Sequence, residues 1–241
     1  MLYETIFKRK AIRKYSNEVL EGNTLNSIKD YSNNVERLFP DIKTEMKFIT
    51  GKEIKTASVK APYYIAFFSE EKEAYLTNAG FMLEQMDLYL SSNGFGSCWV
   101  GMGSPNKELE AHSNLKFVIL LAFGKPAEEL HRKNISEFNR KKVEQISNID
   151  NDLIQIVRLA PSAMNSQPSY YKQKDNEINI YISKSNIIKN ILTLGKMNKI
   201  DVGISICYKW LVVKHNNKDV KFKINNTELK GYEYIATAII K

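Results

Sequence analysis

The chain has 241 residues, 43% of them hydrophobic, enough to bury a substantial core as one domain or as two small halves packed together. Its formal charge of +8 invites a nucleic-acid partner, yet the excess lies in the second half, with 14 Lys and Arg against 7 Asp and Glu from residue 151 onward. The lysines there, among them Lys184, Lys189, Lys196, Lys199, Lys214, Lys218, Lys221 and Lys223, are scattered and carry no helix-turn-helix, zinc or RNA-binding signature, so they read as a solvated face and nucleic acid is not an expected partner.

In chain order, a short helix is expected around Tyr3 to Arg9, then a helix from about Leu25 to Asn34 with Asn23 or Thr24 as its N-cap. Strands follow at Glu45 to Ile49 and Tyr63 to Ser69. The strongest helix runs from Ala74 to Ser92: Leu76, Ala79, Gly80, Leu83, Met86, Asp87 and Leu90 fall at helical spacing, and Asn93-Gly94 supplies the stop. A strand at Ser97 to Val100 leads to a glycine-rich corner, and Lys116 to Phe123 reads as a buried strand ended by Gly124-Lys125-Pro126. From Pro126 to about Ser147 the chain turns charged and polar, a connector expected along the surface. Beyond it come a helix at Asp152 to Ala160, strands at Ser169 to Lys172 and Ile178 to Ser183, a long apolar helix at Asp201 to Lys214, and strands at Val220 to Ile224 and Tyr232 to Ile240.

The order of helix, strands, long buried helix, strand and strand thus occurs twice. The sequence predicts an α+β fold of two similar halves, residues 1–147 and 148–241, each with a sheet packed on a long buried helix, and the repetition points to a duplication. Chance pairing of elements in an α+β chain is the alternative. No apolar run is long enough to span a bilayer, and in MLYETIFKRK the basic residues follow the apolar ones, the reverse of a signal peptide, so the expected location is the cytoplasm, with no membrane partner. Cys98 and Cys207 make no disulfide framework, and His112, His131 and His215 show no ligand spacing; no metal is expected.

Four segments carry the chemistry. In Ala160 to Tyr171, APSAMNSQPSYY, Pro161 and Pro168 fix φ and remove two N–H donors, while Ser162, Asn165, Ser166 and Gln167 offer hydroxyls and amides to a polar ligand. A helix end running into a turn and an edge strand is the plainer reading of the same residues. In FKRKAIRKYS, residues 7–16, Arg9, Lys10, Arg13 and Lys14 crowd together, and unless they are simply solvated an anion must compensate them; guanidinium forks suit phosphate. In NGFGSCWVGMG, residues 93–103, four glycines flank Trp99 and Val100 and allow a flat ring to approach the backbone. Cys98 reads as a small buried packing residue, and Trp99 as core sooner than stacking platform. The fourth segment, His131-Arg132-Lys133, lies in the connector.

Together these segments resemble the nitroreductase family of flavin mononucleotide (FMN) enzymes. Arg9 to Tyr15, RKAIRKY, is similar to that family's Arg-Arg-Ser-x-Arg-x-Phe motif, APSAMNSQP to its Ala-Pro-Ser-x-x-Asn-x-Gln-Pro-Trp loop, GFGSCWVGM to the segment that passes the flavin ring, and GKPAEELHRK to its Gly-Tyr-Pro followed by an Arg. The motif serine is Ala11 here and the motif tryptophan Ser169. The loop also comes about 150 residues after the arginines instead of soon after them, so the chain resembles a fused pseudo-dimer, a monomer whose two halves share one FMN site.

The resemblance implies that Arg9, Lys10 and Arg132 hold the FMN phosphate, with Ser162 and Asn165 closing over it from the second half. It places Arg13 at the ring, Val100 and Gly101 beside it with a backbone N–H for N5, and Pro161 and Gln167 as further contacts. It implies an oxidoreductase that passes hydride from NAD(P)H through FMN to a nitroaromatic, quinone or similar small electron acceptor, with no side chain acting as catalytic acid or base. Two other classes stay open: a flavin-storing or flavin-sensing protein, suggested by Ala11 and Ser169, and a basic nucleic-acid-associated protein, resting on the charge alone.

Overall fold

The computed structural model describes residues 1–174, 177–183, 193–225 and 227–241; Lys184 and Lys189 lie outside them. The chain divides into two compact units, Met1–Tyr75 with Met82–Ile135, and Leu76–Phe81 with Ser136–Lys241.

In the first unit, α1 (Leu2–Ile6) and α2 (Gly22–Ser32) precede β1 (Thr44–Thr50), β2 (Ile54–Thr56) and β3 (Tyr63–Ser69). Helix α3 (Tyr75–Ser92) follows, then β4 (Gly96–Val100), β5 (Ser104–Pro105), α4 (Lys107–Ala111) and β6 (Lys116–Gly124). The main sheet is antiparallel throughout, in the order β1-β3-β6-β4, and β2 pairs with β5 in a small second sheet. β3 and β6 show no apolar alternation because both faces are covered: Tyr64, Ala66, Phe68, Leu120 and Ala122 join one cluster, and Ile65, Phe67, Leu121 and Phe123 on the other face are equally buried. Gly94, at φ +87°, ends α3 as its sequence promises, with Phe95 N–H returning to Leu90 O at 2.9 Å.

The second unit holds α5 (Asp152–Val157), β7 (Ser169–Lys174), β8 (Glu177–Ser183), α6 (Thr193–His215), β9 (Val220–Lys223) and β10 (Tyr232–Ile240). Its sheet is again antiparallel, in the order β7-β8-β10-β9. In each unit the four main strands lie first, second, fourth, third, and the long helix connects the second to the third.

Residues 76–81 of α3 pack on α6 at glycine-only distance. A Cβ on Gly203 would stand 2.0 Å from Thr77 O, and one on Gly80 would stand 2.1 Å from Ile200 O. Phe81 sits edge-on to Trp210 beside the crossing, with ring centroids 5.6 Å apart. Gly203→Ala is therefore expected to lower stability by about 1–3 kcal/mol, since two backbones must part to admit one methyl group. Urea unfolding monitored by circular dichroism checks this, and an unchanged midpoint would refute the contact.

Several boundaries differ from expectation. Helix α2 starts at Gly22, and its N-cap, Glu21, makes no side-chain cap; Asn23 and Thr24 lie inside the first turn. Helix α5 ends at Val157, not at Ala160: Arg158 caps it, Leu159 N–H and Ala160 N–H turn back to Ile156 O and Val157 O, and Pro161 keeps Ala160 out of the helical region. Helix α6 begins eight residues before the apolar pattern, through turns that mix Lys196 and Lys199 with the buried Asn198. The connector is not merely superficial: Phe138, Val143, Ile146 and Ser147 are buried, and Ile146 O accepts from Tyr171 N–H at 2.7 Å. No helix among the described residues is long and apolar enough to cross a membrane.

Candidate functional site

In the first unit, three of the four singled-out segments meet. Residues 8–16 run beside 125–132 through Arg132 N–H to Lys8 O (2.8 Å), Ala127 N–H to Lys14 O (2.9 Å) and Ser16 N–H to Lys125 O (2.9 Å). Arg9 bridges His131 and Tyr15 bridges Pro126. On the glycine-rich corner, Ile12 N–H donates to Ser97 O at 2.9 Å, and the Ile12 side chain fills the place a Cβ of Gly96 would take, 2.6 Å away. Arg13, Lys14 and Gly101 stay exposed, Lys10 and Arg132 are half-buried, and Val100 is buried. The Arg132 guanidinium donates to Arg9 O.

The anion that compensates Arg9 is part of the protein. Arg9 is 3% exposed, and its Nε lies 2.7 Å from Asp87 Oδ2. Ser97 Oγ donates to Asp87 Oδ1, and the Trp99 indole N–H lies 3.2 Å from both Asp87 Oδ2 and Glu84 Oε2. Glu84 and Asp87, one turn apart on α3, are both fully buried. Burial and the neighbouring Asp87 push the Glu84 carboxyl well above its ordinary range, against the pull of Arg9 and the indole. The ion pair with the guanidinium is made by Asp87, and Glu84 beside it is driven towards its neutral form. Glu128 Oε1 accepts from Arg13 N–H (2.8 Å) and Lys14 N–H (3.0 Å), bonds that hold its carboxyl below the usual range. Cys98 is buried as expected, and burial pushes its thiol up. Trp99, half-buried, serves as a hydrogen-bond donor between two carboxyl groups.

The fourth segment lies in the second unit. Its loop makes a short turn at Ala163–Asn165, and Met164, Asn165 and Gln167 are left-handed, with φ of 52°, 54° and 47°. For residues with a Cβ such backbone costs about 1–2 kcal/mol each. The polar side chains that hold this shape bond to the protein itself. Asn165 Nδ2 donates to Asn139 O (2.9 Å), and its Oδ1 accepts from Arg140 Nη1 (2.9 Å). Gln167 Oε1 accepts from Lys141 N–H (2.7 Å), and Gln167 N–H donates to Ser162 Oγ (2.9 Å). Pro161 and Ser162 are half-buried, while Met164 is 89% exposed. Under the loop a cavity of about 20 Å³ is lined by Ser162, Gln167, Tyr171, Asp201 and Ser205, among others. That is room for about one water molecule. Burial pushes Asp201 up to about 7, against the bond it accepts from Ala163 N–H.

The sequence reading did not find Glu84, Asp87, Glu128, Arg140, Lys141 or Asp201. Asp87 did carry a signal, being a carboxylate on the apolar stripe of a buried helix, which demands a cation. Lys141 carried none, since it sits in a charged run that looks solvated.

Fold and site together define an α+β protein of two like-ordered units, the first holding a junction of three chain segments edged by cations. Residues 1–228 match the family model described as "Putative TM nitroreductase". The chain belongs to the nitroreductase family. Among solved structures, a "putative nitroreductase" from Thermotoga maritima superposes with a TM-score of 0.69 at 19% identity, covering 99% of this chain and 93% of its own. A nitroreductase family protein from Clostridium difficile 630 gives a TM-score of 0.51 at 16% identity over 63% of this chain and 99% of that one. Among proteins of curated function, none matches in sequence.

Proposed function

We propose that the chain binds FMN and passes hydride from NAD(P)H through it to a small electron-poor acceptor such as a nitroaromatic or a quinone. The observation that carries this reading is the junction in the first unit, where three distant segments share backbone bonds while Arg13, Lys14 and Gly101 remain exposed. Exposed guanidinium and ammonium groups fit a phosphate and a ring that gains negative charge, so the donor set suits FMN. Family membership supports the same reading. When bound, FMN supplies a ring that takes up hydride and gives it on.

Lys10 and Arg132 would hold the phosphate, with Arg9 behind them, fixed by Asp87. Arg13 would set its charge against the reduced ring, and the backbone at Val100 and Gly101 would serve the ring nitrogen that exchanges hydride. In the second unit, Pro161, Ser162, Asn165 and Gln167 are the candidate flavin contacts of the loop; with Asn165 and Gln167 bonded inside the protein, their contribution is the shape of the loop. We take the strand order common to both units as the trace of a duplication, one chain doing the work of two subunits.

The test is the visible spectrum of the purified protein with and without added FMN. About one FMN per chain, bleached by NADH or NADPH and restored by a quinone, is expected. A chain that neither carries nor takes up flavin would sink the reading. A second reading, flavin storage or sensing, draws on Ala11, which packs on the apolar cluster, and on Ser169, whose Oγ bonds Ser205 Oγ at 2.9 Å. It predicts a bound flavin that NAD(P)H does not turn over.

A further inference from the structure

Two side chains of opposite hydrogen-bonding character grip the loop of the second unit at the groups that fix its shape. Lys141 Nζ donates to Ser166 O (2.7 Å) and Gln167 O (2.8 Å), and Lys141 N–H donates to Gln167 Oε1. Asp201, on α6, accepts from Ala163 N–H at 3.0 and 3.1 Å, with Ser166 Oγ 3.5 Å from its Oδ2. An ammonium can only donate and so takes carbonyls, whereas a carboxylate accepts and so takes N–H groups. The three left-handed residues lie among these contacts, and backbone of that kind persists only where its surroundings over-determine it. Asp201 is buried, 4% exposed, and Lys141 is half-buried. Burial lowers the Lys141 amine below its ordinary range. Arg140 adds Nη2 to Leu159 O at 3.0 Å.

We propose that Lys141 and Asp201 are positioning residues that clamp the loop from residue 161 to 167, Lys141 at its carbonyl end and Asp201 at its N–H end, so that it meets the flavin already shaped. What the loop meets rests on the flavin reading above. That the loop is clamped rests on the contacts alone. The stretch that the sequence presents as a connector thereby becomes part of the site, and its charge is spent on backbone instead of on solvent. A loop preset in this way pays no ordering cost when the ligand arrives, so the clamp acts on affinity and not on the rate of the loaded protein.

The test uses the full chain with Lys141→Met, Lys141→Arg, Asp201→Ala and Asp201→Asn. One readout is amide hydrogen exchange of residues 163–167 without flavin, and the other is titration with FMN. Lys141→Met and Asp201→Ala are each expected to speed exchange in the loop, and to weaken FMN, by about tenfold or more, the scale of a lost charged hydrogen bond. Exchange in β8 and β10 should stay as in the wild type, and turnover at saturating FMN should recover. Lys141→Arg and Asp201→Asn, which keep a donor and an acceptor, should restore most of the affinity. If the wild type binds no FMN yet Lys141→Met still loosens the loop, the clamp stands and the flavin reading fails. Unchanged loop exchange and unchanged affinity in both Lys141→Met and Asp201→Ala would overturn the clamp, as would loss of protection across β8 and β10, which would make these merely folding residues.

Discussion

Asp87→Asn is expected to cost about 3–5 kcal/mol of stability, a large share of the total of about 5–15 kcal/mol for a domain, because it removes the charge that meets a guanidinium 3% exposed. Glu84→Gln should cost about 1 kcal/mol or less, since glutamine has nearly the shape of the neutral acid that burial favours at Glu84. The pair should be coupled. Once Asp87 is lost, Glu84 is the carboxyl left beside Arg9 and the indole, and it can ionise to replace the missing charge. Adding Glu84→Gln to Asp87→Asn removes that reserve, so the double variant should be less stable than the two single effects predict by about 1–3 kcal/mol. Urea midpoints of the four proteins at pH 7 measure the coupling. Equal costs for the two single changes would mean that the charge is shared differently from what the Arg9 contact implies.

Lys209→Met should act in the opposite direction, raising stability by about 1–4 kcal/mol near neutral pH. Lys209 is fully buried on α6, and among the described residues no group accepts a hydrogen bond from its Nζ. The Tyr171 ring lies 5.7 Å away. A cation over that ring gains about 2 kcal/mol or somewhat more when desolvated, still less than the several kcal/mol needed to strip an ammonium of water. Burial therefore drives the amine well below its ordinary range. The unfolded lysine keeps its proton up to about pH 10.4, while the folded one releases it earlier, so between those points the unfolded chain binds more protons and stability rises with pH. The slope from this one group reaches about 1.4 kcal/mol per pH unit. Wild type should gain stability from pH 7 towards about pH 8, and Lys209→Met should lose that rise. Higher pH is a poor place to look, because burial also pushes the Cys98 thiol and the Tyr15 and Tyr171 phenols up, and an unfolded cysteine ionising from about pH 8.5 and unfolded tyrosines from about pH 10 then favour unfolding. A Lys209→Met protein less stable than wild type at pH 7 would show that the amine has a partner that stabilises it.

Strands β3 and β10 occupy the residues expected of them, Tyr63–Ser69 and Tyr232–Ile240, because a strand covered on both faces needs only a run of apolar residues between polar ends, and a run is local. The paired short strands β2 and β5 went unread since two or three residues carry no period. The first two turns of α6 were missed for a related reason: polar residues dilute the apolar period there. At the candidate site, three of the four segments that looked chemical do come together in the first unit. What was not legible is how their charges are spent. Arg9 and Asp87 are 78 positions apart, and Arg140 reaches Asn165 across 25. The sequence sends Arg9 and Asn165 to a ligand and leaves Arg140 in a solvated run, because nothing nearby in the chain names the protein partner each one meets.

The six residues Leu76–Phe81 belong with the second unit, although their neighbours on both sides in the chain belong with the first. No single cut can then yield both units whole. A fragment ending at Ile135 carries a stretch of helix stripped of the surface it packs on, and one starting at Ser136 leaves Gly203 without the Thr77 carbonyl it was shaped to admit. During synthesis the same stretch leaves the ribosome long before α6 does and must wait for it, so the second unit closes only after α6 has emerged. Whatever the origin of the two units, a cut anywhere along the chain leaves at least one of them incomplete.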